Sequence, residues 1–311
     1  MSVRRMSALI TRRGFNRALF GGTAAALAGC AQPLVPARVA AIDCHAHVFH
    51  RDLPMPDKRR APAGYDATPE DYLRVLAADG MTHGVLVQPS FLGTDNSYLV
   101  ASLRKYPDLF RGIAVVDPSI GSEQLQTLQD AGVVGIRLNL IGLQTPDFAS
   151  TSWKGLLAQL RQRNWQVEVH QAARELRPVV EPLIAEGLNV VVDHFGRPDD
   201  RLGVDDPGFQ YLLTLGPSRK VWVKLSGAYR NGPAGRGEAA ALAAMPLLRS
   251  SFGLDRLVWG SDWPHTLFEK AVDYPSQRRL LDAWLPETAD RMIVLHETSA
   301  RLFGFSSYGP S

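Results

Sequence analysis

Residues 112–138 read GIAVVDPSIGSEQLQTLQDAGVVGIRL, and this stretch contains the unit from which the fold is built. An apolar run at 112–117 is followed by a helical pattern at 122–131 and by a second apolar run at 133–138. Apolar runs without alternating polar residues are typical of parallel strands that are covered on both faces. The stretch therefore predicts a strand, a crossover helix and a second, parallel strand.

The same alternation continues along the chain. Helical patterns separate eight apolar, β-rich runs, which are 40–44, 84–88, 112–117, 133–138, 166–170, 189–193, 221–226 and 257–261. Eight strand–helix units in about 265 residues predict an α/β fold, a single (β/α)8 TIM barrel over residues 42–305. A doubly wound open sheet is the alternative, but it needs a switch point in its strand order and does not explain where the polar residues fall.

The first 29 residues differ from the rest in charge. Five of the 34 Lys and Arg residues lie before residue 18, and no acidic residue precedes Asp43. The Arg12–Arg13 pair and the apolar, Ala/Gly-rich stretch 18–29 predict an export signal of the twin-arginine type over residues 1–29. An amphipathic first helix of the domain is the alternative.

Residues 27–30, LAGC, resemble a bacterial lipobox, in which Cys30 would be lipidated and become the first residue of the mature protein. Cleavage near Ala31 by an ordinary signal peptidase is the alternative. Residues 31–41 are predicted to be a linker to the barrel. Cleavage before Cys30 removes five arginines and changes the net charge from +3 to −2. We therefore expect a periplasmic or cell-envelope lipoprotein that contacts the membrane only through a lipid anchor at Cys30.

The composition narrows the class of protein further. Hydrophobic residues make up 45% of the 311 residues, charged residues make up 21%, and there are two cysteines. These values exclude a disordered chain and a disulfide scaffold. The sequence has no P-loop, dinucleotide fingerprint or Gly-X-Ser-X-Gly elbow. Basic residues after the leader do not cluster with aromatic ones, so we expect no nucleic-acid partner.

Histidines and an aspartate collect at the carboxyl ends of the predicted strands. They are His45 and His47 after the first run, His170 in the fifth, His194 after the sixth and Asp262 after the eighth. In a TIM barrel these ends meet at one mouth. Imidazoles and carboxylates bind zinc, so we expect either one divalent ion, zinc before others, held by His45, His47, His170 and Asp262, or catalysis without a metal. A pair of buried, hydrogen-bonded histidines is the alternative for His45 and His47.

Other polar residues at the same ends are expected to contact a small substrate. They are Ser90, Arg137, Arg197, Tyr229 and Arg230. Arginine pairs well with carboxylates, although pairing of Arg137 with Asp193 is an alternative. Glu168 faces the same side of its strand as His170 and is expected to orient a ligand. Lys224 lies in the seventh run, and we expect it to form a structural ion pair.

Three motifs resemble those of the amidohydrolase superfamily. They are IDCHAH at 42–47, VDHFGRP at 192–198 and WGSDWPH at 259–265. The first is similar to the strand-1 signature of the superfamily, and the other two to the strand-6 and strand-8 motifs of its amidohydrolase-2 branch. The most similar group is that of the 2-pyrone-4,6-dicarboxylate hydrolases and sugar lactonases. The resemblance runs from about residue 40 to 305, and it implies a barrel that hydrolyses a cyclic ester.

The resemblance also implies a role for each matching residue. Asp262 would be the general base that activates water. Three histidines would polarise the lactone carbonyl or stabilise the oxyanion, and two arginines would hold substrate carboxylates. The histidines are His45, His47 and His194, and the arginines are Arg137 and Arg197.

The sequence departs from this group at two places. The metal-free hydrolases have a tyrosine where this chain has His170, and related metal-dependent decarboxylases use a histidine there as a ligand. Residues 139–146, NLIGLQTP, lack a basic residue that the dicarboxylate hydrolases place after strand 4. A metal-dependent, non-oxidative decarboxylase with His194 outside the metal shell is therefore an alternative function. A catalytically silent lipoprotein that binds a small acid is another.

Overall fold

The computed structural model describes residues 41–56, 61–62, 64–233 and 235–305. Eight parallel strands form one sheet in chain order, so the TIM barrel is confirmed and the open sheet, which needs a switch point, is wrong. The strands are β1 Ile42–Ala46, β2 His83–Val87, β3 Phe110–Ala114, β4 Val133–Asn139, β5 Gln166–His170, β6 Val190–Val192, β7 Val221–Leu225 and β8 Leu257–Trp259.

Helices cover the outside of the sheet. They are α1 Pro69–Ala78, α2 Ser97–Lys105, α3 Ser122–Asp130, α4 Thr151–Gln162, α5 Arg177–Ala185, α6 Pro207–Leu213, α7 Arg236–Phe252, α8 Tyr274–Trp284, α9 Thr288–Met292 and α10 Ser299–Phe303. Local sequence explains where they begin. At α1, the Thr68 side chain accepts from the backbone N–H of Asp71, and Pro69 occupies the first turn.

The strands are buried because both of their faces are covered. One cluster fills the space inside the barrel with residues from six strands, among them Cys44, Val85, Val191 and Val258, and Phe303 of α10 packs against it. The pairing of β1 with β2 shifts between Asp43 and Ala46, where three steps along β1 oppose two along β2. A bulge of this kind re-aims side chains, and the next residues after Cys44 include the first histidine of the site.

The barrel closes through residues that follow β8. The backbone N–H of Asp262 donates to the His45 carbonyl oxygen at 2.8 Å, and the His47 N–H donates to the Trp263 carbonyl oxygen at 2.8 Å. Ala46 and Trp263 form a parallel bridge between these two bonds. We call this ladder, formed by residues 45–47 and 262–263, the seam. It carries two of the predicted site histidines and the predicted base.

The predicted export signal and lipobox, and residues 31–40 of the predicted linker, lie outside the described residues. Within the described ranges, every helix is too short or too polar to cross a lipid bilayer.

Candidate active site

A cavity of about 210 Å³ opens beyond the carboxyl ends of the strands. Eight of the predicted site residues line it: His47, Ser90, Arg137, His170, His194, Arg197, Arg230 and Asp262. The other two, His45 and Tyr229, lie beneath it and contact Asp262. The structure therefore brings all of the predicted residues together at one mouth, as the strand-end pattern indicates.

The two oxygens of Asp262 have different surroundings. Oδ2 accepts hydrogen bonds from the Tyr229 hydroxyl at 2.7 Å and from Arg230 Nε. Oδ1 faces His47 Nε2 at 3.5 Å and His45 Nε2 at 3.7 Å. Burial by itself would raise the pKa of Asp262, but the Arg230 guanidinium outweighs it and holds this pKa well below its ordinary value. Asp262 is therefore a carboxylate at neutral pH.

His47 presents a lone pair to the cavity. Its Nδ1 lies 2.7 Å from the Val87 carbonyl oxygen, which can only accept, so Nδ1 carries the proton. Burial lowers the pKa of His47, and the ring is neutral. Nε2 is then an acceptor that faces the acceptor Oδ1 of Asp262. Two acceptors in this position favour a donor molecule, such as water, that contacts both.

His45 has the opposite arrangement. Its Nδ1 lies 3.0 Å from Lys224 Nζ, and an ammonium group can only donate. Burial and the Lys224 charge hold the pKa of His45 well below its ordinary value, so the ring is neutral. Its proton must therefore be on Nε2, which is buried and has no hydrogen-bond partner among the described residues.

His170 follows the same rule on the other side of the cavity. Arg137 Nη2 donates to His170 Nδ1 at 3.1 Å, and a guanidinium has no acceptor. Burial holds the pKa of His170 well below its ordinary value, so this ring also carries its proton on Nε2. Arg137 pairs with Asp193 at 3.3 Å as well as lining the cavity, so the predicted structural pairing and a contact with substrate are compatible.

His194 lies between these two rings. Its Nδ1 contacts the Ser226 hydroxyl at 2.8 Å, and burial lowers its pKa to about 3. The backbone here is tightly packed, because a Cβ atom on Gly227 would lie 2.7 Å from His194 Nδ1. Only glycine leaves room for the ring at this position, and Gly227 also has a φ of +54°.

Three groups of buried side chains have ligand atoms within 4.8 Å of one another in the part of the chain that the structure describes. They are His45, His194 and Asp262; His170, Asp193 and His194; and His45, Glu168 and Asp193. Each group contains His45 or His170, whose Nδ1 accepts from a cationic side chain and whose Nε2 carries a proton. A metal ion needs lone pairs at these atoms. The hydrogen bonds therefore do not fit a resident metal ion.

Some residues of the site were not predicted. The wall after β8 consists of Thr266, Leu267 and Phe268, and Phe91 and Asn139 also line the cavity. In the sequence, these residues are distinguished only by their position after a strand end. Many loop residues share that position, so it does not identify them as site residues. Lys224 was predicted as a structural ion pair, and it contacts Glu168 Oε1 at 2.7 Å. Its contact with His45 has no signal in the sequence.

Comparison with known proteins agrees with this geometry. The 4-sulfomuconolactone hydrolase of Hydrogenophaga intermedia is 29% identical over 279 residues, which cover 84% of this chain and 88% of that protein. The 2-pyrone-4,6-dicarboxylate hydrolase of Comamonas testosteroni is 32% identical over 237 residues, which cover 72% of this chain and 77% of that protein.

The solved structures include one with the same architecture at higher identity. A crystal structure assigned to a 2-pyrone-4,6-dicarboxylic acid hydrolase of Pseudomonas putida is 43% identical, has a TM-score of 0.81, and covers 86% of this chain and 98% of its own. The family model described as amidohydrolase matches residues 42–305, from the start of β1 to the residues after α10. The chain belongs to the amidohydrolase family.

Proposed function

We propose that this protein hydrolyses a small lactone with a water molecule activated by Asp262. The observation that carries this proposal is the acceptor pair at the cavity, where Asp262 Oδ1 and His47 Nε2 lie 3.5 Å apart. A water molecule that contacts both acceptors donates its two protons to them and turns a lone pair outward. The names of the two curated relatives, both lactone hydrolases, support the same reaction class.

The residues around Asp262 supply the remaining steps. Asp262 takes a proton from the water as its oxygen bonds to the lactone carbonyl carbon. The oxyanion formed on the carbonyl oxygen accepts from the Nε2–H of His45, a preorganised donor in a buried site. The ring C–O bond then breaks, and the leaving oxygen receives the proton that Asp262 holds. The products are one carboxylic acid, which releases its proton to solvent and becomes a carboxylate, and one alcohol or enol.

The cavity also indicates the class of substrate. Arg137 and Arg197 line it together with the apolar side chains of Phe91 and Phe268. A guanidinium fits a carboxylate with two parallel hydrogen bonds, and the aromatic rings cover a flat or puckered ring. The substrate is a small lactone that bears at least one carboxylate or several hydroxyls.

Replacing Asp262 by Asn tests the assigned base. We expect D262N to reduce kcat by about 10²–10⁴-fold, because an amide cannot take a proton from water. The measurement is hydrolysis of a panel of pyrone and sugar lactones. The control is D130N, because Asp130 is exposed at the end of α3, on the opposite side of the barrel from the mouth. Hydrolysis by D262N at the wild-type rate contradicts the proposal.

The zinc ion predicted from the sequence is tested in the same preparation. Because Lys224 and Arg137 direct the protons of His45 and His170 toward the cavity, we expect full activity after treatment with EDTA and less than stoichiometric metal by elemental analysis. Loss of activity that zinc restores contradicts this expectation. That outcome favours the metal-dependent decarboxylase, for which His170 would be a ligand. Binding of a small acid without turnover of any lactone favours the silent lipoprotein.

A further inference from the structure

Lys224 is a buried cation that does not reach the cavity. Its side chain is fully buried in β7, and its Nζ lies 3.0 Å from His45 Nδ1, 2.7 Å from Glu168 Oε1 and 3.2 Å from Asp193 Oδ1. Burial by itself would lower the pKa of Lys224, but Asp193 and Glu168 raise it above its ordinary value. Of these three contacts, the one to His45 has hydrogen-bond geometry, and Glu168 and Asp193 form ion pairs with the ammonium. Lys224 does not line the cavity, so its described contacts are with protein side chains.

Asp193 offers His45 a different arrangement. Its Oδ1 lies 3.6 Å from His45 Nδ1, beyond hydrogen-bond distance but within reach of a small movement. If Nδ1 carried the proton and donated to Asp193, Nε2 would have a lone pair. That lone pair would face Asp262 Oδ1 at 3.7 Å. His45 would then repel an oxyanion instead of stabilising it.

We propose that Lys224 is a positioning residue that selects the tautomer of His45, so that this ring presents an N–H and not a lone pair to the reacting lactone. The inference rests on the proposed function for the role of His45 as oxyanion donor. The selection itself follows from the contacts of Nδ1 alone. Because the ammonium donates to Nδ1, Nδ1 has no proton to donate to Asp193, and the proton of the neutral ring is on Nε2.

A charge-balanced pair of variants tests the selection. K224M alone leaves Glu168 and Asp193 buried without their cation, so the test variant is K224M/E168Q, which removes one charge of each sign. E168Q is the matched control, because it keeps the contact between Lys224 and His45. Burial raises the pKa of Glu168, so a neutral amide is a mild replacement at this position. The difference between the two variants isolates the Lys224 amine.

The first readout is the tautomer, measured by ¹⁵N NMR of the full chain labelled at histidine, with H45Q to assign the signal. We expect Nε2–H in the wild type and in E168Q, and Nδ1–H in K224M/E168Q. The second readout is steady-state kinetics, in which K224M/E168Q should lose about 10²–10³-fold in kcat relative to E168Q, with KM changed little. A structural role alone would not move the tautomer.

Two results overturn the inference: Nδ1–H in the wild type, or Nε2–H retained in K224M/E168Q. Circular dichroism checks that the variants fold, and Nδ1–H in the wild type overturns the inference whether or not K224M/E168Q folds. The NMR readout needs no substrate, so its outcome is independent of the proposed function. If the tautomer changes as expected but D262N hydrolyses lactones normally, the proposed function fails and the selection stands.

Discussion

Burial makes every imidazole around Asp262 a neutral one. It lowers the pKa of His194 to about 3 and that of His265 to about 4, and it holds the pKa values of His45 and His170 well below their ordinary value. The pKa of Asp262 is also lowered. The resting site therefore combines a carboxylate with uncharged rings, and no imidazolium competes with water for the base.

This state predicts the pH dependence of the free enzyme. Groups with lowered pKa values take up protons only in acid, so the active ionisation is complete throughout the range in which an ordinary histidine titrates. We expect Asp262 and the histidines around it to cause no change in kcat/KM between about pH 5 and 8, after subtraction of spontaneous hydrolysis, and measurement in E168Q removes the contribution of Glu168, whose pKa burial raises to about 7. The measurement is a pH profile with a lactone whose own carboxylate stays ionised. An acid limb with its midpoint near the ordinary histidine pKa contradicts this.

At the level of strands, the seam depends on one small residue. Gly260 lies between β8 and Asp262, and a Cβ atom there would be 2.5 Å from His45 Cβ and 2.8 Å from the His45 backbone nitrogen. No side chain fits without moving the end of β1 away from β8. Gly260, two residues before the seam, is therefore sterically constrained by the backbone of His45.

The substitution G260A tests this constraint. We expect it to lower the free energy of unfolding by about 1–3 kcal/mol, the usual cost of overpacking, and to reduce kcat/KM because His45 moves. The control is G155A, since a Cβ atom on Gly155 in α4 meets nothing within 4 Å. G155A should raise the free energy of unfolding by about 0.5–1 kcal/mol, because alanine is a better helix former than glycine. Urea unfolding measures the stability of both variants. Equal stability of G260A and the wild type would contradict the steric constraint at Gly260.

The strands themselves were predictable, but some of their ends were not. Continuous apolar runs identified all eight, because a sheet covered on both faces needs them. The eighth run was predicted to extend to residue 261, yet β8 ends at Trp259 because the chain then leaves to pair with β1 across the seam. The bulge in β1 had no local signal either. Such features depend on the partner strand, which hydrophobic periodicity does not describe.

For the whole molecule, the positions of the site residues were predictable from the sequence, but their protonation was not. The histidines and the aspartate of the site could be located from the sequence because parallel strands of a barrel end at one mouth. The nitrogen that carries the proton on each ring could not be predicted, because the contacts that determine it join distant parts of the chain. Lys224 and His45, for example, are 179 residues apart. Which nitrogen donates is a property of the assembled barrel.

We propose that residues 1–29 direct export and that Cys30 carries a lipid. The described fold and the family match begin only at residues 41 and 42. We expect the variant R12K/R13K, which keeps the charge of the pair, to retain the enzyme in the cytoplasm of a bacterium with twin-arginine export. Cell fractionation measures this, and R4K/R5K is the matched control. Equal export of both variants contradicts the proposal.

The lipid anchor is tested separately at Cys30. We expect C30S to appear as a soluble or unprocessed protein, where the wild type is found with the membrane, because serine cannot form the thioether. Mass spectrometry of the first peptide of the mature protein identifies a lipid directly. An unmodified wild-type peptide that begins after Cys30 contradicts lipidation and supports ordinary cleavage.

Because the seam places Asp262, we expect catalytic activity only after the barrel has closed. A chain that has formed seven strands already contains His45, His47, His170 and His194, but it lacks the proposed base, because Asp262 reaches its place only when the last strand pairs with the first. If Asp262 is the base, as we propose, partly folded chains are expected to be inactive. Separation of these two strands would silence the enzyme while most helices remain intact.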